Sequence, residues 1–239
     1  MSEHDQPIAR RRGYGLRDLS NASIAYLLAK APADAVADAL AAALGGTVTR
    51  DALGAAVTSR QSVSVWQLAG HDWSGFASAL GPAEQRAAGL SRALGCDVLA
   101  FCNEDVSGWN QVQLFRGGVE VEHVQWGLDY SDEIEGAAEE TGEPAPDRSE
   151  WYAKWDVRVK VACNESMMDE YLFRSALRKV DADDLRRGEA FVDDLFRRYD
   201  AYLPDLHEMP WADGPDGVLR SENLPGNAFA RVHRVTKDG

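Results

Sequence analysis

With 239 residues, 45% of them apolar and 27% charged, the chain suits one generous domain with an ordinary buried core. A formal net charge of −14 opposes contact with nucleic acid or anionic lipid over most of the surface, so a basic protein is the partner that charge favours. No apolar run approaches the roughly 18 residues of a membrane span, and MSEHDQPIARRRGYGLRDLS carries basic residues with no apolar stretch behind them, so neither a span nor a secretory signal is expected.

Residues 1–18 read as a mobile N-terminal arm. Ser20 can cap a helix through NASIAYLLAK (21–30), and Pro32 opens a second, ADAVADALAAAL, with Val36, Leu40 and Leu44 on one stripe and Gly45-Gly46 as its stop. SVSVWQL (62–68) alternates as a strand does, with Val63 and Val65 on one face. Asp72 can cap a short helix in HDWSGFASAL, its stripe being Trp73, Phe76 and Leu80. Pro82 introduces the clearest helix, with Ala83, Ala87, Leu90 and Leu94 in register and Gly95 ending it.

A three-stranded meander is expected next, at about 97–102, 111–116 and 119–125. CDVLAFC reads as a strand buried on both faces, QVQLF and VEVEH alternate, and Gly117-Gly118 supplies the positive φ angles of a tight hairpin turn. Residues 127–150, acidic and interrupted by Pro and Gly, form a loop or insertion longer than compact domains usually use. WDVRVKVAC resumes alternation, and Arg158 and Lys160 suit a place opposite Glu120 and Glu122, so strand 156–162 is expected beside the meander. Residues 164–203 read as a helical hairpin, the second helix carrying Leu185, Val192, Leu195, Phe196, Tyr199 and Leu203 on one stripe. Residues 204–239 read as mostly irregular, with AFARVHRV (228–235) as a late edge strand. The expected fold class is therefore α+β: an antiparallel sheet built on the meander, joined by strands near 62–68 and 156–162 and covered by helices in a single domain.

The chemistry-bearing residues are sparse. Cys96, Cys102 and Cys163 are odd in number and widely spaced, which suits reduced thiols in a cytoplasmic protein. His4, His71, His123, His207 and His233 fall in no metal-ligand spacing, so no metal and no cofactor is expected. There is no GxSxG, GxxxxGK[ST] or GxGxxG. The weak catalytic candidates are His71, Glu104, Asp105 and His123. Glu104 and Asp105 sit where Asp, Ser and Gly do turn chemistry, and His123 shares the parity of Val119 and Val121, which favours an inward-facing histidine. Tryptophans at strand ends beside acidic residues make a better case for binding. Trp109, Trp126, Trp151 and Trp155, with Asp129, Asp132, Glu133 and Glu135, form the candidate partner surface, since tryptophan buries large area at small entropic cost.

The run LSRALGCDVLAFCNEDVSGWNQVQLFRGGVEVE resembles a pattern in small uncharacterised bacterial α+β proteins, some of them immunity proteins of toxin systems. The likeness covers about residues 87–123, and its motifs are structural, so it carries no catalytic residue across. It implies a bacterial interaction module, most sharply an immunity protein or antitoxin that blocks a basic toxin enzyme. Two alternatives stand beside it: a small enzyme with a cleft near His71, Glu104, Asp105 and His123, and an acidic DNA-mimic inhibitor.

Overall fold

The computed structural model describes residues 6–15, 24–57, 61–77, 83–104, 109–126, 136–142, 144, 147, 193, 196–205, 209–213, 216–221 and 224–237. Eight strands form one sheet: β2 (Ile24–Ala29), β3 (Gly46–Thr49), β4 (Ser62–Leu68), β5 (Ser74–Ala77), β6 (Asp97–Glu104), β7 (Trp109–Arg116), β8 (Val119–Trp126) and β12 (Phe229–Lys237). Their spatial order is β3-β12-β4-β5-β2-β6-β7-β8, and every neighbouring pair is antiparallel. The fold is α+β.

Two helices, α1 (Ala33–Leu44) and α2 (Ala83–Leu94), lie on one face. Pro32 has no donor to lose at the start of α1, and Gly45 at φ 62° ends it. The stripe Ala33, Val36, Ala37 and Leu40 is buried against Val63, Val65, Phe76, Val98 and Val235 of the sheet. Alanines on α1 let the helix approach closely, and each buried leucine or valine contributes about 1.5–3 kcal/mol. Ala87 and Leu90 do the same for α2, and Ser91 Oγ donates to the Cys96 carbonyl at 2.8 Å to close its end.

The opposite face is covered by the C-terminal part of the chain. Tyr26, Leu28, Trp66, Leu68, Leu99, Phe101, Val112 and Leu114 pack with Phe196, Tyr202, Leu203, Met209, Leu224 and Phe229. Phe196 is fully buried and meets Phe101 edge to face, with centroids 6.5 Å apart.

Several expectations are corrected. Residues 24–29 are strand β2, not helix. Tyr26 and Leu28 face one core while Leu27 and Ala29 face the other, so burial on both sides erased the period that separates strand from helix. Residues 74–77 are strand β5, not helix, because the segment pairs with β2 and β4. Residues 204–239 are not mostly irregular: β10 (Trp211–Asp213) and β11 (Val218–Arg220) form a hairpin, and β12 follows. Finally, β12 is no edge strand but lies between β3 and β4. Residues 6–15, within the stretch expected as a mobile arm, dock on the chain. β1 (Gly13–Tyr14) pairs in parallel with β9 (Tyr202–Leu203), and Arg12 pairs with Asp200. Leu203, expected on a helical stripe, thus lies in a strand. Strand 156–162 and the helix at 165–179 lie outside the described residues.

One glycine is required by close approach. Gly75 sits in register between Trp66 and Leu28, and a Cβ there would come within 2.2 Å of Trp66 Cζ2 and 2.6 Å of Leu28 Cδ2. Both obstacles are buried ring and branch atoms, so neither can swing away. Gly75→Ala is expected to destabilise the fold by about 1–3 kcal/mol, the usual cost of overpacking. A urea midpoint unchanged from wild type would show that the sheet relaxes around the methyl group.

Candidate partner-binding surface

The site begins at the β7–β8 hairpin. Gly117 and Gly118 adopt φ of 59° and 83°, which reverses the chain in two residues. The hairpin is tied to α2 through the Gly118 N–H, which donates to Ser91 Oγ at 3.2 Å. From this turn the register runs Arg116↔Val119 at one end to Asn110↔Trp126 at the other, and Trp109 lies opposite Glu104 of β6. Trp109 and Trp126 therefore hold positions at the same end of adjacent strands, and the acidic segment 127–150 follows Trp126 in sequence. Within that segment residues Gly136–Thr141 form a short helix, α3.

A bulge shapes the outer strand. Leu114 pairs with Glu122 but Phe115 pairs with Glu120, so Val121 is the extra residue. This overturns the expected inward placing of His123 with Val119 and Val121. Val119 is 63% exposed, Val121 is 41% exposed and His123 is exposed, whereas Glu122 is only 9% exposed. Val119 and Val121 are the exposed large hydrophobics among the described residues. A period-two reading assigns faces by counting, and one inserted residue breaks the count.

Polar contacts hold this strand on both faces. On the helix side, Gln113 Nε2 donates to Glu120 Oε2 at 2.6 Å, and His123 Nδ1 lies 3.3 Å from Glu120 Oε1. On the other side the Tyr199 hydroxyl donates to Glu122 Oε2. Burial, and then the Glu122 carboxylate, push the Tyr199 hydroxyl well above its ordinary pKa. At the hairpin end Arg116 grips Asp97 with two hydrogen bonds of 2.9 and 2.8 Å, which holds the Asp97 carboxyl below its usual range. Nothing in the sequence pairs Tyr199 with Glu122, because they lie 77 residues apart, one on an expected helical stripe and the other on the polar face of a strand.

Of the catalytic candidates, His71 and His123 are not brought together. His71 is buried between β4 and β5, where its Nε2–H donates to the Ile8 carbonyl at 2.7 Å and its ring lies 5.9 Å from that of Tyr202. Burial lowers its pKa, as suits a neutral donor that holds the N-terminal segment. His123 lies on β8, four strands away in the sheet and on the opposite face. Glu104 ends β6, four residues along the strand from Ala100, which shares a row with Gln113 and His123. Asp105 lies outside the described residues, as do Asp129, Asp132, Glu133, Glu135, Trp151 and Trp155 of the expected binding surface. Burial raises the pKa of Cys96, which disfavours a reactive thiolate. Among the described residues no helix is long and apolar enough to cross a membrane.

Searches against protein-family models, curated proteins and solved structures find no match to this chain.

Proposed function

We propose that the chain is a protein-interaction module that binds a basic protein through the β8 side of its sheet, in the manner of an immunity protein or antitoxin that blocks a toxin enzyme. The observation that carries this reading is the register of β7 and β8, which brings the Trp109 and Trp126 positions to one strand end, with the acidic segment following Trp126 in sequence. Val119 and Val121 add exposed apolar area along the same outer strand. Tryptophans followed in sequence by a run of acidic residues suit a cationic partner: charge speeds encounter, and aromatic rings buried on binding set residence time. His71 and His123, which the enzymatic reading would bring into one cleft, lie four strands apart on opposite faces, which favours the binding reading over it.

The test is co-purification from the source organism, then titration of the purified partner against three chains. These are the wild type, Trp126→Ala, and a chain with Asp129, Asp132, Glu133 and Glu135 all replaced by lysine. Trp126→Ala is expected to weaken binding roughly thirty-fold, the effect of a hot-spot tryptophan. The lysine chain is expected to lose most of its association rate and its salt dependence. Equal affinity of all three chains at low salt would remove the proposal.

A further inference from the structure

We propose that residues 6–15 are a strap latched by His71, and that the strap lets go when the His71 ring gains a second proton. The strap is held at two places. At one, Ile8–Arg10 form a single 3-10 turn against the Gly70-His71 turn, where the Ile8 carbonyl accepts from His71 Nε2 at 2.7 Å. The approach is close: a Cβ on Gly70 would come within 2.5 Å of the Ala9 Cβ. At the other, β1 lies along β9, with the Gly13 and Gly15 amides on the Ala201 and Leu203 carbonyls and Arg12 on Asp200.

Little apolar burial supports these contacts. No residue of the 3-10 turn is buried, and Ile8 meets the core as a half-buried side chain. Asp200 is exposed, so its pair with Arg12 is screened by water and contributes little. A segment held mainly by hydrogen bonds, with few buried apolar contacts, opens locally before the fold does. His71, in contrast, is buried, with its ring beside that of Tyr202. The state of one buried ring therefore bears directly on whether the strap stays docked.

The sign follows from what surrounds that ring. Among the described residues the charged groups acting on it are Arg12 of the strap, Asp200 before β9 and the adjoining Asp72, and Tyr202 of β9 is the titratable ring beside it. Burial is the largest influence and opposes the imidazolium. The Ile8 carbonyl favours the imidazolium, Arg12 opposes it, and Asp200 and Asp72 favour it. The balance lowers the pKa of His71 while the strap is docked. A released strap leaves the ring in water at its ordinary value, so the released state takes up the proton first. Docking is therefore fully supported above the ordinary value of 6.5 and weakens as pH falls below it.

Hydrogen exchange on the full chain at about pH 7.5 and about pH 5.5 tests the latch, with each amide's rate divided by its intrinsic rate at that pH. Protection of the Gly13 and Gly15 amides is expected to fall several-fold at the lower pH, toward a ceiling of about tenfold set by one proton. The Ala52 amide, bonded within the sheet region to the Val232 carbonyl, is expected to keep its protection. His71→Gln retains a side-chain donor for the Ile8 carbonyl and removes the titration, so its Gly13 and Gly15 amides are expected to be equally protected at both pH values. Should that chain fail to fold, the wild type still decides, because the His71 ring resonances are expected to titrate with the same midpoint as the loss of protection. Unchanged protection in the wild type, an equal acid loss in His71→Gln, differing midpoints, or loss at Ala52 together with the strap overturns the proposal. Trp126→Ala is expected to leave the latch unchanged, which separates it from the partner surface.

Discussion

Phe196→Ala is expected to cost about 3–5 kcal/mol, among the largest effects of any single truncation in this chain. Phe196 has no exposed surface, and it anchors the covering segment on Phe101 of β6. The residues that follow it carry the rest of the cover. The Ala201 N–H bonds the Phe196 carbonyl, Tyr202 and Leu203 are buried, and the Trp73 indole donates to the Tyr199 carbonyl at 3.1 Å. Removing the ring leaves a cavity under this layer, and the N-terminal segment hangs on the same layer. The Gly13 and Gly15 amides donate to the carbonyls of Ala201 and Leu203 at 2.8 and 2.7 Å. Hydrogen exchange distinguishes local from global failure. The Gly13 and Gly15 amides are expected to lose protection first, while the Ala52 amide, bonded to the Val232 carbonyl at 2.7 Å, keeps it. Simultaneous loss at all three amides would show that the covering segment and the sheet melt as one unit.

The second large effect is alkaline. Tyr26 is 3% exposed on the central strand, and burial, followed by the nearby Asp205 carboxylate, raises its pKa far above the ordinary value of 10.0. The neutral phenol is the form the fold accepts. Its contribution is therefore fully present below about pH 10 and is lost as pH rises toward the folded pKa, because the unfolded chain releases the proton first. The expected slope from Tyr26 is about 1.4 kcal/mol of lost stability per pH unit above that point. Tyr199, half-buried against Glu122, adds a term of the same sign that solvent screening reduces. Urea titrations of wild type and Tyr26→Phe across alkaline pH measure the difference. The phenylalanine chain is expected to show the shallower decline, and parallel curves would show that Tyr26 ionises without unfolding.

Both results turn on the face away from the helices, which is the part of the fold least legible in the sequence. The helix face is largely readable. Ala87, Leu90 and Leu94 recur at helical spacing, Pro32 and Gly45 punctuate α1, and Val63 and Val65 alternate. Each of these signals is local, generated within one element by its own backbone geometry. The turn at Gly117-Gly118 is local in the same sense, since positive φ is a property of the residues themselves.

What failed was not local. Ile24–Ala29 contains leucine and alanine, good helix formers, yet it is a strand because β5 and β6 supply its hydrogen bonds and two cores bury its two faces. Tertiary packing overrides a propensity difference of a few tenths of a kcal/mol per residue. The same reason hid the interior place of β12, whose partners Ser62–Leu68 and Gly46–Thr49 lie far back in the chain. It also hid the bulge that turns Glu122 inward and Val119 outward.

The candidate sites divide along the same line. Trp109 and Trp126 could be named from composition and strand-end position, but their shared end of the sheet is a matter of register. The burial of Arg234 could not be read at all, because AFARVHRV offers Arg231, His233 and Arg234 alike as polar residues among valines. By itself the sequence determined the charge, helices α1 and α2, the turn residues and the α+β class, since these follow from residue chemistry and short-range periodicity. Only the tertiary structure decided which strands pair, which residues of β8 face the core, and that Arg234 lies buried. Those depend on pairing between distant segments, and pairing is set by the burial of both faces at once.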